Sequence, residues 1–296
     1  METAVPAPSS GILSHFLAAR YPAVKARFPG EGRRRWRLRV AEAFWNLSSE
    51  EKEVYATACR SAAAPSEDAE FNTDDDPYDE VSDDAPGLGI LLRTDYSNEV
   101  AWQDFYSKLQ EGEAEFAAAS SAGEDEDDKM AEDAGAPLPA GEDQDMDSDS
   151  DDGGAHPIFT VIADRPAFAG LSNLAALRLL NDVDVRRLPV LPAGTKRVKP
   201  PHRLVDQDGW QEVYVGKTVW IYDARSNVDQ CARLVSQHAG MYGTATADSW
   251  RARAGYLCDL QVNLSSGAMT IDFGGLDRWD YDERVRNLEE AVKPLG

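Results

Sequence analysis

The sequence predicts an α/β fold, a mixed sheet with flanking helices, together with a small all-α head of three helices and long disordered acidic segments. Apolar runs of strand length alternate with amphipathic helical patterns after residue 87, as is typical of α/β proteins. Charge is the second observation, because residues 61–152 hold 30 Asp and Glu against three Lys and Arg. Residues 1–60 hold ten Lys and Arg against six acids, and the remaining residues balance at 17 of each. The chain is thus a basic head, an acidic tract (residues 61–152) and a neutral folded part.

Composition argues against several classes of protein. No apolar run approaches the roughly 20 residues that a membrane span needs, and residues 1–10 lack a basic start followed by an apolar stretch. We therefore expect no membrane partner and no secretion. The three cysteines form no CxxC pair and the four histidines are scattered. The sequence accordingly predicts no metal site and no cofactor.

Residues 10–62 form a basic head with three predicted helices. The first begins near Leu13, with apolar residues at three- and four-residue steps, and ends before Pro29-Gly30. The second spans about residues 33–45 and carries an apolar face beside five arginines. Ser48 is expected to cap a short third helix that starts with two glutamates.

Two motifs in the head match a known family. The pattern P-x-V-K-x-x-x-P-G appears at residues 22–30, and W-x-x-L-S-x-E-E-K-x-x-Y appears at residues 44–55 with Phe44 in the tryptophan place. These residues resemble the HMG box. The resemblance implies an L-shaped three-helix fold whose small aromatic core is Phe16, Phe44 and Tyr55. Proteins of this family bind the minor groove of DNA and bend it with an apolar wedge.

The resemblance also implies which side chains contact DNA. They are one wedge residue and six cations, namely Leu13, Lys25, Arg33, Arg34, Arg35, Arg37 and Arg39. The sequence departs from the family because its third helix is about half the usual length and acidic. The other wedge positions fall on Ser14 and Arg33, so wedging depends on Leu13. The open alternative is a helical interaction module whose arginines only solvate its surface.

Two stretches of the acidic tract are predicted to be disordered, residues 63–86 as a linker and residues 117–154 as an insertion. Both are poor in aliphatic residues and cannot bury enough apolar area to offset the entropy of ordering. A calcium loop at residues 147–153 is rejected, because its Gly is one place late and its last position is not Glu. Ser148 and Thr73 each have Asp three residues on, as acidophilic kinases prefer.

Residues 87–116 and 155–296 are expected to build the α/β module together. A strand at 89–95 leads into a helix whose aromatic residues need a core that only the C-terminal part can supply. The further strands are expected at 158–162, 213–222 with a bulge at Gly216, 256–262 and 269–273. Residues 186–208 are rich in proline and are expected to leave the core as an irregular excursion. Strands alternating with helices imply a sheet that is at least partly parallel, with right-handed crossovers.

Two helices of the module have predicted caps. Ser172 is expected to cap a short helix after the second strand. Asp280 and Glu283 form an acidic variant of the capping box and open the final helix. That helix is expected to bury its apolar face, which consists of Tyr281, Val285, Leu288 and Val292.

The module carries a second set of matching segments. Residues 90–102 (ILLRTDYSNEVAW) and 164–171 (DRPAFAGL) match closely, and residues 219–223 and 247–250 match more loosely. They resemble a domain of unknown function found in actinobacteria and filamentous fungi. This resemblance implies no activity.

An Asp follows each of three apolar strands. If these strands are parallel neighbours, Asp95, Asp164 and Asp223 converge at the edge where α/β sheets hold ligands, and could bind magnesium. The alternative is that each Asp starts a turn and caps the next helix. No phosphate loop, G-x-G-x-x-G or G-x-S-x-G motif is present.

The sequence predicts a nuclear protein that associates with DNA or chromatin and is not an enzyme. Its head would bind the DNA minor groove with low sequence specificity, the acidic tract would regulate access to the head, and the α/β module would bind protein. One alternative is a protein that binds histones or other basic proteins through the acidic tract, with the head as an internal counter-charge. The other is a magnesium-dependent enzyme that uses the three Asp.

Overall fold

The computed structural model describes residues 12–61, 65–127, 157–164, 168–188, 200–240, 243–273 and 280–296. These residues form a mixed parallel and antiparallel sheet with helices on both faces, and a helical head at the N-terminal side. The predicted α/β class is confirmed.

The main sheet has five strands in the order β2-β1-β5-β6-β7. These are β1 (Gly89–Arg93), β2 (Phe159–Ile162), β5 (Thr218–Tyr222), β6 (Cys231–Val235) and β7 (Ser249–Arg253). The interior strand β1 pairs in parallel with both β2 and β5, and β6 and β7 continue the sheet antiparallel. Every residue of β1 is buried, as a continuous apolar run in a parallel sheet requires.

A second sheet has two antiparallel strands, β3 (Asp182–Arg187) and β4 (Trp210–Val215). The single strand expected at 213–222 is therefore wrong, because β4 and β5 belong to different sheets. Gly216 separates them at φ +149°, and a Cβ there would collide with the side chain of Asn181. Only glycine fits this close approach.

Helices cover both faces of the main sheet. One face packs against α5 (Glu99–Asp127) and α8 (Leu257–Ser265), and the other packs against α6 (Asn173–Leu180), onto which α9 (Tyr281–Ala291) docks. The aromatic residues of α5 lie in one cluster with residues of β5 and α8, which confirms the expected core. The cluster includes Trp102, Phe105, Leu109, Trp220, Tyr222 and Leu257. The Trp102 and Phe105 rings each lie 4.9 Å from the Tyr222 ring.

The head consists of α1 (Ile12–Arg27), α2 (Arg33–Trp45) and α3 (Ser49–Ser61). The Phe16 ring contacts the rings of Phe44 and Tyr55 at 5.8 and 5.2 Å, so the three predicted aromatic residues do meet. Phe44 also contacts Trp210 of β4 at 6.3 Å, and both α1 and α2 pack on β3. The head and the α/β part therefore share one hydrophobic core.

Several expected elements differ in the structure. The strand expected at 256–262 is wrong, because Tyr256 ends a 3-10 turn and residues 257–262 form the start of α8, with Leu257, Cys258 and Gln261 buried at helical spacing. Residues 269–273 form no strand. The strands β3, β6 and β7 were not predicted, because they are short and contain charged residues. Apolar alternation is nevertheless present in β3, where Val183 and Val185 are buried and alternate with Asp182 and Asp184.

The disordered linker predicted at 63–86 is wrong for residues 65–86, which the structure describes in definite contacts. They include a short helix, α4 (Glu70–Thr73), and a 3-10 turn at Asp79–Val81. The helix α5 also runs on to Asp127, into the expected insertion. The rejected calcium loop at 147–153 and Ser148 lie outside the described residues. Among the described helices, none combines the length and hydropathy needed to cross a membrane.

Candidate functional site

The basic face of α2 is covered by the acidic segment, which we define as residues 70–84. This segment follows the head in the chain and leads into β1. Its carboxylates form ion pairs with Lys25, Arg33 and Arg34. These three cations are among the predicted DNA contacts, so the acidic segment covers part of the predicted DNA-binding surface.

Arg34 is the centre of the contact and is only 2% exposed. Its Nη1 donates to Asp76 Oδ1 at 2.9 Å, and its backbone N–H donates to Asp76 Oδ2 at 2.9 Å. Its Nη2 donates to Asp83 and to the Ser82 hydroxyl, each at 2.9 Å. Asp76 thus caps the N-terminus of α2, where the helix dipole favours an anion. Gly32 makes this approach possible, because a Cβ there would collide with Asp76 and Pro77.

Arg33, the residue before Arg34, binds the same acidic segment. Its Nη2 lies 2.9 Å from Asp79 and 2.8 Å from Asp83, and its Nη1 donates to the Asn72 carbonyl at 2.9 Å. Burial alone would lower the pKa of Arg33, but the nearby carboxylates of Asp182, Asp83 and Asp79 outweigh it and raise that pKa. The guanidinium is therefore held as a cation inside the protein.

Lys25 and Tyr21 bind the start of the segment. The Lys25 ammonium lies 2.7 Å from an Asp74 oxygen, and the Tyr21 hydroxyl donates to Asp74 at 2.9 Å. The hydrogen bond from Lys25 to Asp74 raises the pKa of Lys25. Burial and the adjacent Asp74 carboxylate raise the pKa of Tyr21. Both groups thus keep their protons at neutral pH.

The other predicted DNA contacts lie as follows. Leu13 is 0% exposed within the shared core, so it cannot act as a wedge while the head is docked on β3. Arg37 donates to the carbonyls of Phe71 and Val183, and Arg39 pairs with Glu31 at 2.6 Å. The Arg35 side chain is 42% exposed. Four of the predicted DNA contacts therefore bind side chains or backbone carbonyls of the acidic segment instead of forming an open basic surface. They are Lys25, Arg33, Arg34 and Arg37.

The second region lies where the parallel strands end. The loops after β1 and β5 meet there, at the point where the chain switches from one side of β1 to the other. Asn227 Nδ2 donates to Asp95 Oδ1 at 2.8 Å, and the Tyr222 hydroxyl donates to Asn227 Oδ1 at 2.7 Å. The strands before the three Asp are indeed parallel neighbours.

The three Asp do not form a metal site. Asp95 accepts from the backbone and hydroxyl of Ser97 at 3.0 and 2.6 Å, which is a local turn. Asp223 accepts two hydrogen bonds from Arg251 at 3.0 Å. Asp164 is exposed after β2. No group of three metal-binding side chains occurs in the described part of the chain. The turn-forming alternative therefore fits Asp95 and Asp223 better than the magnesium site.

Sequence reasoning found the cations of the head but missed their partners. The acidic residues were assigned to disorder because composition does not reveal a specific partner. One signal was present, since the acids fall into three short groups, residues 74–76, 79–80 and 83–84, that are separated by Pro77-Tyr78 and Val81-Ser82. Phe71 in the same stretch also packs into the core, against Tyr21 at 6.2 Å.

The fold and this geometry define a class, an α/β protein whose arginine-rich helical head is neutralised by its own acidic segment. No family model matches the chain, and comparisons with curated proteins and with solved structures returned no significant match. The resemblances to the HMG box and to the domain of unknown function therefore stay predictions.

Proposed function

We propose that this chain is a nuclear binding protein for basic partner proteins such as histones, and that the acidic insertion at 117–154 is its binding surface. The head then serves as an internal counter-charge. The observation that carries the proposal is the pairing of the head with the acidic segment. Because the arginines of α2 already have carboxylate partners, they do not need the insertion.

Charge counting supports the same function. Residues 1–60 carry a net charge of +4, and residues 61–85 carry ten acids and no Lys or Arg. The head and the segment after it are therefore already net negative. The insertion holds 14 Asp and Glu against one Lys, and the rest of the chain is also net negative. No surplus of positive charge in the chain balances the insertion, so a cationic partner is the complementary surface.

The test uses the full-length protein and purified core histones. A variant in which the 14 insertion acids become Asn and Gln should lose affinity at least about tenfold at low salt, because the attraction is electrostatic. A scrambled insertion of unchanged composition is the matched control and should bind like the wild type. Equal binding by the neutral variant would refute the proposal.

DNA binding by the head is the second candidate, and one observation favours it. The Arg34 guanidinium, the backbone N–H of Arg34 and the α2 N-terminus together hold an anion, and a phosphate group would use the same donors. The acidic segment then acts as an internal competitor. For DNA to bind, the segment has to leave α2.

A triple variant, Asp76→Asn, Asp79→Asn and Asp83→Asn, tests this candidate in the full chain. Its mobility shift with linear and four-way-junction DNA should exceed that of the wild type. If four to five phosphates are neutralised, log K should fall against log salt with a slope near −4, at about −0.9 per phosphate. Asp83→Asn alone is the milder variant, because the Asp83 side chain is 40% exposed. Variants that stay folded by circular dichroism but shift no DNA at low salt would exclude DNA binding.

A further inference from the structure

Thr73 carries an exposed hydroxyl at the end of α4, within the acidic segment that covers the head. Its γ-oxygen lies 3.4 Å from the Ala69 carbonyl one turn earlier, which is long for a hydroxyl hydrogen bond. Three consecutive acids, residues 74–76, follow it directly. Acids at these places suit the basic substrate groove of an acidophilic kinase by charge complementarity. Ser82 is also followed by acids, but it is fully buried and bound to Arg34.

Docking of the acidic segment on the head hides part of this motif. The Asp76 side chain is 4% exposed and holds Arg34 at two points, whereas Asp75 is exposed. A kinase that binds all three acids therefore reaches Thr73 only when the segment has left α2. Because such a kinase binds the released state alone, it captures segments as they leave the head.

Two cations of the head flank Thr73 in the docked state. The Lys25 ammonium lies 3.3 Å from Glu70 and 2.7 Å from Asp74, which are three residues before and one residue after Thr73. Arg37 donates to the side chain of the residue before Thr73 at 3.2 Å. An ammonium has three N–H donors, and the Lys25 side chain is 36% exposed, so there is room for a further anion beside it.

A phosphate on Thr73 would carry a charge of about −1.5 to −2 and three strong acceptor oxygens. It repels the acids that follow it in the chain, but these stay beside it whether the segment is docked or released. Its attraction to Lys25 and Arg37 exists only in the docked state. Asp182 of β3 opposes this attraction, but its charge is already shared between Arg33 and Arg37 at 3.7 and 3.6 Å. Since only the difference between the two states shifts their equilibrium, the phosphate favours docking.

We propose that Thr73 is the acceptor site of an acidophilic protein kinase, and that the phosphate locks the acidic segment onto the head. In the transfer, Thr73 Oγ attacks the γ-phosphorus of MgATP, and the bond from that phosphorus to the bridging oxygen of ADP breaks. ADP leaves, and the hydroxyl proton passes to the catalytic base of the kinase. The lock depends on the docked segment alone and not on what the insertion binds.

Treatment of the full-length protein with a purified acidophilic serine/threonine kinase and MgATP tests the site, with peptide mass spectrometry as the readout. Thr73 should carry phosphate. The double variant Asp79→Asn and Asp83→Asn keeps residues 74–76 but loses ion pairs of the docked state, so its Thr73 should react at least about threefold faster. Absence of phosphate on Thr73 in both proteins would overturn the site. Equal rates would overturn the claim that the kinase acts on the released segment.

Hydrogen–deuterium exchange of residues 70–84 in the same samples measures the lock. These amides should exchange roughly two- to fivefold more slowly after phosphorylation, the range for one partly exposed ion pair. The slowing should shrink in Lys25→Gln and persist in Lys25→Arg, which keeps the charge. Thr73→Ala treated with the kinase is the control for phosphate elsewhere in the chain. Unchanged or faster exchange after phosphorylation of Thr73 would overturn the lock.

Discussion

Asp76 holds Arg34 at two points, accepting from its guanidinium and from its backbone N–H, each at 2.9 Å. One carboxylate thus neutralises a buried cation and caps the helix that carries it. The side chains of Arg34 and Asp76 are 2% and 4% exposed, so neither charge can be solvated if the other is removed. This relationship makes the acidic segment a structural part of the head.

We expect Arg34→Ala to lower the free energy of unfolding by about 3–5 kcal/mol, because it leaves buried carboxylates without a partner. Urea denaturation followed by circular dichroism would measure the change. Arg35→Ala is the matched control on the same helix and should change stability by no more than about 0.5 kcal/mol. Similar effects of the two changes would contradict the buried pairing.

Phe44→Ala should destabilise the whole described unit rather than the head alone. Truncation of a fully buried Phe costs about 3–5 kcal/mol, and Phe44 contacts both Phe16 of the head and Trp210 of β4. Far-ultraviolet circular dichroism and tryptophan fluorescence should report the same lowered urea midpoint. Loss of helicity well before the change in fluorescence would show that the head unfolds independently.

Asp223 should contribute stability that depends on pH. Burial alone would raise the pKa of Asp223, but the hydrogen bonds from Arg251 and the charge of Arg233 outweigh it and hold that pKa below its ordinary value. The contribution is present above the unfolded pKa of about 3.9 and is lost as the pH falls through the lower folded pKa. Asp223→Asn should therefore destabilise most near pH 7, and its difference from wild type should narrow below about pH 4.

Urea midpoints measured across pH would test this dependence. Asp164→Asn is the control, since Asp164 is exposed after β2. This control should change the free energy of unfolding at pH 7 by no more than about 0.5 kcal/mol. A difference between Asp223→Asn and wild type that stays constant from pH 7 to the acid range would refute the ion-pair explanation.

Cys258 should be the least reactive of the three thiols. Burial raises the pKa of Cys258 to about 12, so very little thiolate exists near pH 8. Cys59 and Cys231 are partly accessible. Labelling of the native protein with a disulfide reagent, followed by peptide mass spectrometry, should modify Cys258 last. Labelling of Cys258 as fast as Cys59 would mean that α8 opens readily.

Local signals in the sequence predicted the elements that local chemistry determines. The helix expected at about 33–45 is α2, with bounds Arg33–Trp45. The predicted N-caps also form, since Ser172 accepts from the N–H of Ala175 and Asp280 accepts from the N–H of Glu283. These contacts span only three residues, and so they can be read from a short pattern. The other half of the expected capping box does not form, because the Glu283 side chain accepts from the N–H of Asn173.

Long-range polar contacts could not be predicted in this way. The prediction of which face of α9 is buried was wrong, because Glu283 and Asn287 hydrogen-bond to α6, more than 100 residues earlier in the chain. The partners of Arg33 and Arg34 were missed for the same reason, since they lie 42 to 50 residues away. Hydrophobic periodicity carries no information about which distant donor a carboxylate will meet.

The position of β1 between β2 and β5 has a consequence for synthesis on the ribosome. Tyr222, which ends its partner strand β5, follows Arg93 by 129 residues. At about 5–20 residues per second, the finished β1 waits roughly 6 to 26 seconds for that partner. During this interval an apolar strand is exposed between two strongly acidic stretches of nascent chain. Repulsion between the acidic stretches of neighbouring nascent chains is expected to keep such strands apart on a polysome.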